Sequence, residues 1–439
     1  MKEIISRACD SPLSVVGHKQ GVDDGNTELI VSFLEEYWER IRYLDIRFSY
    51  INWRAFEDRI WAILARPANA MEIFRFFPPL DRFNMDRKPL YISRPSRLAL
   101  FNDHAPLLHT FYAPGIKPVL TAPWCSQIRD LSLNGPLPVD ELLSALSQMH
   151  CLEVLRDNCD AITMAGDGVI LPQVTCASLK VVDIGTYRNI VPYMELITHL
   201  APASNCAVSF VVVADDGFMF DTHALSAASQ ILQMYSTYCD ISGATSVSLS
   251  LHERSFEFQA LLPSKISCVY YLALASVLDV PVNYTQVLLG TLTALTFHGV
   301  EKISLFIEET SGISSFDPEM IEFLSSFSFA REFETSTETI QFLLTLPQEV
   351  LDIAFPSVDI IHFIACSTEI DVVCIQAFLA SRIATGRQVL ELHVRVAEFG
   401  IGLDMRCLEE FFGLKVVLLF DGFRREYICG SGSIEELII

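Results

Sequence analysis

A short alternation of apolar and polar residues returns at intervals along the whole chain. Between Pro123 and Leu155 the sequence reads PWCSQIRDLSLNGPLPVDELLSALSQMHCLEVL. Ile128, Leu131 and Leu133 follow the pattern φxxφxφ, where φ is apolar, and the pattern starts again at Leu152. Alternation with a period of two is typical of a strand with one buried face, whereas the intervening apolar residues have helical spacing. The stretch therefore predicts a strand, a helix and a second strand.

The same pattern starts at fourteen positions, with a mean step of about 29 residues, which is within the range of leucine-rich repeats. These positions are Ile41, Met71, Leu108, Ile128, Leu152, Leu179, Val208, Ala244, Val269, Val300, Ala330, Val358, Val389 and Leu414. Amphipathic helices are predicted in LIVSFLEEYWER, AFEDRIWAILARP, PVDELLSALSQM and EIDVVCIQAFLASRIATG, each of which precedes one of these strands. One strand and one helix cannot bury their apolar faces alone, but stacked copies can. The spacing predicts an α/β leucine-rich-repeat solenoid, or horseshoe, of parallel strands and helices with irregular repeat lengths.

The repeats define an expected domain organisation. We expect the divergent solenoid to cover residues 26–430, with an irregular break near residues 205–265 where the pattern is less clean. Residues 1–25 are predicted to form a poorly ordered N-terminal segment, and residues 431–439 a C-terminal tail.

A globular α/β domain is the alternative fold, because it also alternates strands and helices. Three observations weigh against it. Fourteen strands exceed one barrel, no GxGxxG follows a strand, and charged residues stand between the apolar positions of the strands. A parallel strand covered on both faces would instead be nearly continuously apolar. The charged residues in question are Arg42, Asp45, Arg129, Asp130, Lys180 and Asp183.

Candidate binding residues follow from the alternation. If the apolar positions face the core, the residues between them face outward, and strands about 4.8 Å apart align them in rows on the concave surface. We predict that these residues are exposed and bind a protein, since Tyr and Arg often anchor protein interfaces. They are Tyr43, Asp45, Arg75, Thr110, Tyr112, Asp130, Ser132, Arg156, Asp183, His362, Glu391 and His393.

Composition and charge limit the classes of partner that we expect. The 439 residues are 51% hydrophobic and carry a net charge of −23. The imbalance begins after Asp130: up to there 17 basic face 16 acidic residues, and beyond it 14 basic face 38 acidic residues. Such a surface repels phosphate backbones, so we expect no nucleic-acid partner. The longest stretch without charged residues, Val280 to Val300, contains polar residues that a bilayer penalises, so we expect no membrane partner either.

No catalytic motif is present in the sequence. HExxH, GxSxG and GxxxxGK[ST] are all missing. Asp103, His104 and His109 are close together, but His109 falls within a predicted strand, which favours a structural role. We therefore predict no catalytic residue, cofactor or metal, with an α/β enzyme that has no recognisable motif as the alternative. Twelve scattered cysteines without a CxxC motif predict a reduced protein of the cytoplasm or nucleus. We also expect the protein to be a monomer.

Several phrases carry a resemblance to a known family. In order they are SPLSVVGH, FLEEYWERIRYLDI, LFNDHAPLLHTFYAPGI, LLSALSQMHCLEVL, LPQVTCASLKVVDI and LEEFFGLKVVLLFDG. From about Ser11 onward the chain resembles the repeat region of basidiomycete (mushroom-type) F-box and leucine-rich-repeat proteins. The resemblance implies a protein-binding module that selects substrates for a cullin-RING ubiquitin ligase.

The F-box itself raises a question about ligase recruitment. In that family the F-box precedes the equivalent of SPLSVV, and only ten residues precede Ser11 here. The expectation is either a module that binds an unidentified protein without recruiting a ligase, or a full F-box receptor whose box lies upstream of Met1.

Overall fold

The computed structural model shows two compact units, unit 1 (Met1–Cys206) and unit 2 (Ala207–Ile439). Both units are mixed α/β, and most of their strands are parallel. The residues that the structure describes are 11–17, 24–48, 50–77, 99–114, 116–133, 136–157, 162–166, 168–186, 190–214, 222–239, 241–262, 270–276, 282–365, 371–396, 403–420 and 423–438.

Unit 1 contains a seven-stranded parallel sheet in the order β1-β2-β3-β4-β5-β7-β10. Its strands are β1 (Leu13–Gly17), β2 (Ile41–Arg47), β3 (Ile73–Phe77), β4 (Thr110–Tyr112), β5 (Asp130–Leu133), β7 (Val154–Asp157) and β10 (Val181–Thr186). Two short pairs lie beside it, β6 (Leu137–Pro138) with β8 (Ile162–Thr163), and β9 (Val174–Cys176) with β11 (Leu200–Pro202). The helices are α1 (Asp24–Tyr37), α2 (Tyr50–Leu64), α3 (Val139–Leu146) and α4 (Val191–Thr198).

One apolar row runs across this sheet and forms its core. It consists of directly opposite residues on six neighbouring strands, none more than 1% exposed: Leu44, Phe74, Phe111, Leu131, Leu155 and Val182. Helix α1 contacts α2, and α3 contacts α4. Helix α3 has one buried face, because Leu142, Leu143 and Leu146 are buried whereas Glu141 and Ser144 are exposed. Gln148, just beyond α3, is also exposed.

Aromatic side chains fill the space beside this row. Phe74 and Phe111 stack with ring centroids 5.6 Å apart, and Phe101 meets Trp124 edge-on at 5.6 Å. Trp38 lies 6.4 Å from Phe101 and donates its indole N–H to the carbonyl oxygen of Pro67 at 3.0 Å. The buried polar end of Trp38 is thereby satisfied, as burial of an indole requires.

Unit 2 contains a ten-stranded sheet in the order β12-β15-β14-β13-β16-β17-β18-β19-β20-β21. Its strands are β12 (Ala207–Ala214), β13 (Ser246–His252), β14 (Ser255–Leu261), β15 (Tyr270–Ser276), β16 (Lys302–Ile307), β17 (Glu332–Thr335), β18 (Ile360–Ala365), β19 (Glu391–Val396), β20 (Lys415–Phe420) and β21 (Phe423–Ile428). The helices are α5 (Thr222–Tyr238), α6 (Val282–Thr293), α7 (Pro318–Ser325), α8 (Thr337–Thr345), α9 (Gln348–Ile353) and α10 (Val372–Ala384). Among the described residues, no strand pairing closes either sheet into a barrel.

Of the fourteen predicted strand positions, twelve lie at, or just before, the start of a strand of the two sheets, and Val208 is the second residue of β12. The remaining position, Val269, lies outside the described residues. In a simple repeat each strand pairs with the next strand along the chain. Unit 2 departs from this order, because β12 pairs with β15 and not with the next strand, β13. The reason is a strand that the pattern φxxφxφ misses. Strand β14 reads SFEFQAL and alternates strictly between half-buried and buried residues. It forms an antiparallel hairpin with β13 and inserts between β13 and β15.

Parts of both terminal segments contact the rest of the fold. Within the N-terminal segment of residues 1–25, Leu13–Gly17 forms β1 and pairs with β2, while residues 1–10 and 18–23 lie outside the described residues. In the tail of residues 431–439, Leu437 is fully buried and its carbonyl oxygen accepts a hydrogen bond from the Met405 amide at 3.0 Å. Strand pairing therefore holds residues 13–17 against the sheet, and the burial of Leu437 holds the C-terminal segment against Met405.

The uncharged stretch from Val280 to Val300 contributes helix α6 to unit 2. Within this helix Leu288, Leu289 and Leu292 are fully buried. Nowhere in the described ranges does a helix combine the length and the apolar character needed to cross a membrane.

The core of unit 1 can be tested with two adjacent leucines. Leu108 is fully buried and Leu107 is 52% exposed. Leu108→Ala removes buried methylene groups and leaves a cavity, so we expect the free energy of unfolding to fall by about 2–5 kcal/mol. Leu107→Ala is the matched control, with an expected change of about 0.5 kcal/mol or less.

The measurement is urea unfolding followed by tryptophan fluorescence. All four tryptophans of the chain lie within unit 1, so the signal reports on that unit alone. Equal losses of stability in the two variants would contradict the assignment of Leu108 to the core.

Candidate functional site

Six of the predicted binding residues form one row across the sheet of unit 1, here called the central polar row. Each member lies directly opposite the next on the neighbouring strand, on the face opposite the apolar core row. The central polar row consists of Asp45, Arg75, Tyr112, Ser132, Arg156 and Asp183. The predicted residues Tyr43, Thr110 and Asp130 lie two positions earlier on their strands and face the same side.

Ionic and aromatic contacts link these residues. The Arg75 guanidinium lies 3.8 Å from the Asp45 carboxylate, and Tyr43 donates its hydroxyl hydrogen bond to Asp45 at 3.2 Å. Arg156 forms a short ion pair with Asp130, which belongs to the neighbouring strand β5. The face thus carries charges of both signs, and ion pairs between neighbouring strands hold Arg75 and Arg156 in place.

An aromatic cluster continues this surface at the end of β3. The Phe77 ring lies 4.9 Å from the Tyr112 ring, and the Arg47 guanidinium sits over Phe77 at 4.7 Å from its centroid. This is the range of a cation–π contact. Tyr112 therefore contacts the aromatic ring of Phe77 on β3 and lies between Arg75 and Ser132 in the central polar row.

Three of the predicted binding residues are buried, which corrects the expectation that all of them are exposed. Asp45 is 5%, Thr110 8% and Ser132 3% exposed. Their side chains are short, and strands about 4.8 Å apart place longer side chains on either side of them. Ser132, for example, lies between Tyr112 and Arg156. The long members of the row, and not the short ones, are accessible to a partner.

A second set of charged residues was missed by the sequence reasoning as a site and is here called the leading charged row. Its members lie at the second residue of β2 and directly before β3, β4, β5, β7 and β10, and they include both basic and acidic residues: Arg42, Glu72, His109, Arg129, Glu153 and Lys180. Each member bonds through its backbone to the next, for example from the Glu72 amide to the Arg42 carbonyl oxygen at 2.9 Å. The signal was present, since these residues occupy the second position of the six φxxφxφ patterns of unit 1 that start between Ile41 and Leu179.

Ion pairs follow the leading charged row. Arg42 lies 2.7 Å from Glu72, and Glu153 lies 2.7 Å from Lys180 and 3.5 Å from Arg129. The hydrogen bond and the charge of Lys180 hold the pKa of Glu153 below its ordinary value. These pairs are exposed, and exposed pairs contribute about 0–1 kcal/mol each to stability.

The three predicted residues of unit 2 also come together. His362 and His393 lie directly opposite each other on β18 and β19, with ring centroids 4.7 Å apart. The Glu391 carboxylate lies 2.9 Å from Nε2 of His393, and the hydrogen bond between them lowers the pKa of Glu391. Burial, followed by the charges of His393 and Lys302, lowers the pKa of His362 against the opposite effect of Glu332 and Glu334.

Next to His362 on the same row lies a bonded group of charged and polar residues. Glu334 accepts hydrogen bonds from Ser304 at 2.7 Å and lies 2.8 Å from the Lys302 ammonium. Burial alone would raise the pKa of Glu334, but the hydrogen bonds from Lys302 and Ser304 outweigh it and the pKa is lowered. Glu334 and Lys302 are therefore a neutralised pair.

The remaining candidates for chemistry have structural environments. In the described part of the chain, no group of three or more His, Cys, Asp and Glu side chains is arranged to hold a metal ion. His109 contacts the Thr110 hydroxyl at 3.1 Å and lies within the leading charged row. Among the eight described cysteines, burial raises the pKa of Cys125 to about 12 and that of Cys176 to about 11. Such thiols are inert.

Comparison of the chain with protein-family models, with curated proteins and with solved structures found no match.

The histidine pair predicts a measurable titration. Because the fold lowers the pKa of His362, its protonation midpoint in the native protein should lie below 6.5. The unfolded chain then binds this proton more tightly, so the contribution of His362 to stability is present above that value and is lost as the pH falls through the native midpoint. Replacing the neighbouring charge in His393→Gln should raise the midpoint of His362.

Proton NMR of the histidine rings measures this midpoint, and loss of one resonance in His362→Gln assigns it. A midpoint at or above 6.5, or one that does not move in His393→Gln, would show that the two rings are not coupled as described.

Proposed function

We propose that this chain is a noncatalytic protein-binding module whose partner contacts the outward faces of its sheets. The observation that carries the proposal is the central polar row of unit 1, in which six polar residues stand in register on consecutive parallel strands. A continuous face of this kind offers many side chains at fixed spacing to one extended partner. Its Arg and Tyr side chains belong to the residue types that most often anchor protein interfaces.

The ion pairs of the polar face contribute more to the choice of a partner than to the stability of the fold. Ion pairs such as Arg156–Asp130 and Arg75–Asp45 are partly exposed, and such pairs contribute little to stability. Their charges do, however, select a partner of complementary charge and exclude others. A partner that approaches Arg75 and Arg156 with acidic side chains, and Tyr112 with an apolar one, fits this face.

We further propose that the strand and helix pairs are divergent leucine-rich repeats. Supporting this are the step of about 29 residues, the parallel strands of unit 1 and the contacts between successive helices. The antiparallel hairpin of β13 and β14 is a departure from that repeat.

The chain resembles mushroom-type F-box proteins, and on this basis we propose that it acts as a substrate-recognition region for a cullin-RING ubiquitin ligase. Recovery of a cullin or its adaptor with the full chain would support that role. Recovery of a partner without any ligase subunit would leave a binding module that recruits no ligase.

Substitution of the central polar row tests the proposed function. In the double variant Tyr112→Ala, Asp130→Ala, the aromatic anchor is lost and Arg156 loses its ion pair. Truncation of an anchoring residue costs about 2 kcal/mol or more, so we expect recovery of the protein partner from host-cell extract to fall about 30-fold.

The matched control is Lys117→Ala, Glu141→Ala, which removes an exposed ion pair of 3.1 Å that involves helix α3 and not the sheet face. Unchanged partners in the Tyr112→Ala, Asp130→Ala protein, with its tryptophan-detected unfolding intact, would refute the proposed face.

A further inference from the structure

A depression with a volume of about 240 Å³ lies on the outward face of the sheet in unit 2. Its cause is the sequence of β13, SVSLSLH, which places serine at the first three of the four outward positions. Ser246 and Ser248 form the floor together with Ser304 on β16, which lies directly opposite Ser248. Longer side chains on the flanking strands stand above these short ones, so a trough follows β13.

The size of the depression limits what it can hold. Sites for cofactors and other complete small molecules measure about 300–1,000 Å³ and enclose most of the ligand. A site of 240 Å³ that is open on one side is suited to a single amino-acid side chain. A side chain presented by a protein partner is therefore the better occupant, and this step rests on the proposed function.

The hydrogen-bonding groups of the trough define the chemistry of the occupant. Ser246, Ser248 and Gln259 are half-buried, and their side chains make no hydrogen bond within the part of the chain that the structure describes. A serine hydroxyl and a glutamine amide each donate and accept. An occupant that both donates and accepts can pair with all of these functions, whereas a carboxylate, which only accepts, leaves their acceptor oxygens unpaired, and an ammonium, which only donates, leaves their donors unpaired.

Charge leads to the same class of occupant. The only charged side chains in the lining are Lys302 and Glu334, and they are bonded to each other at 2.8 Å. The trough thus has no unpaired charge to compensate an ionised group, and desolvation of an uncompensated ion is costly. An uncharged occupant meets no such cost.

We propose that this trough binds an uncharged carboxamide group, the side chain of Asn or Gln, presented by the protein partner. The carboxamide has two N–H donors and a carbonyl acceptor, which match the hydroxyls of Ser246 and Ser248 and the amide of Gln259. The apolar side chains of Phe306 and Ile364 at the rim contact the methylene stem of the occupant.

Blocked amino acids test the proposal directly on the full chain. The probe is N-acetyl-glutamine methylamide, followed by ligand-observed NMR, with the glutamate analogue of nearly the same shape as comparator. A ligand of this size is expected to bind with a dissociation constant of about 1 mM. We expect the ionised glutamate analogue to bind at least about tenfold more weakly, because it cannot donate and carries an uncompensated charge.

Two variants place the binding in the trough. Ser248→Leu fills the floor, and Gln259→Glu preserves the shape of the side chain but removes its donor; each should weaken the glutamine probe about tenfold or more. Ser209→Leu is the matched control, since Ser209 is a half-buried outward serine on β12 outside the depression. Circular dichroism establishes that each variant is folded.

Equal binding of the glutamine and glutamate probes, no binding up to about 20 mM, or binding that survives both trough variants would overturn the proposal. These outcomes are separable from those of the proposed function. If the glutamine probe fails while Tyr112→Ala, Asp130→Ala still loses its partner, the protein-binding role stands and the trough does not take part in it.

Discussion

Burial of one apolar row across neighbouring parallel strands is the constraint on which the rest of unit 1 depends. Once Leu131 packs beside Phe111 and Leu155, the residues on either side of it must face outward, because side chains in a strand alternate. A slip of one residue would place Asp130 and Ser132 in the core, at a cost that no surface contact offsets. The register of the core thus fixes the register of the polar face.

The energies of the two faces differ greatly. A buried leucine is worth about 2–5 kcal/mol, whereas an exposed ion pair is worth about 0–1 kcal/mol. The fold therefore tolerates substitution on the polar face much better than in the core. That freedom is what a recognition surface requires, because its charges can change to suit a partner while the sheet remains intact.

Much of this arrangement is readable in the sequence, because the apolar pattern records which side of each strand is buried. It located thirteen strand positions of the two sheets and brought Arg75, Tyr112 and Arg156 onto one row. The burial of Asp45, Thr110 and Ser132 was not readable, because it depends on the length of side chains on the neighbouring strands.

The chain order of unit 2 was also hidden, since pairing partners are not encoded in the period of a strand. Strand β14 does alternate cleanly, yet nothing local states that it turns back on β13. The contacts of His362 with His393 likewise depend on which strands become neighbours. The trough over β13 depends on strand order for the same reason, because its walls are side chains of neighbouring strands. Cross-strand relationships, and not single-strand properties, are what the sequence pattern leaves open.

The central claim is that a protein partner sits on the central polar row. Site-specific photo-crosslinking measures this most directly, with a photoreactive phenylalanine analogue placed at Tyr112 or, as control, at Glu141, which is exposed on helix α3. The account predicts a discrete protein adduct from position 112 and none from position 141. Adducts of equal yield from both positions, or an adduct from position 141 alone, would contradict it.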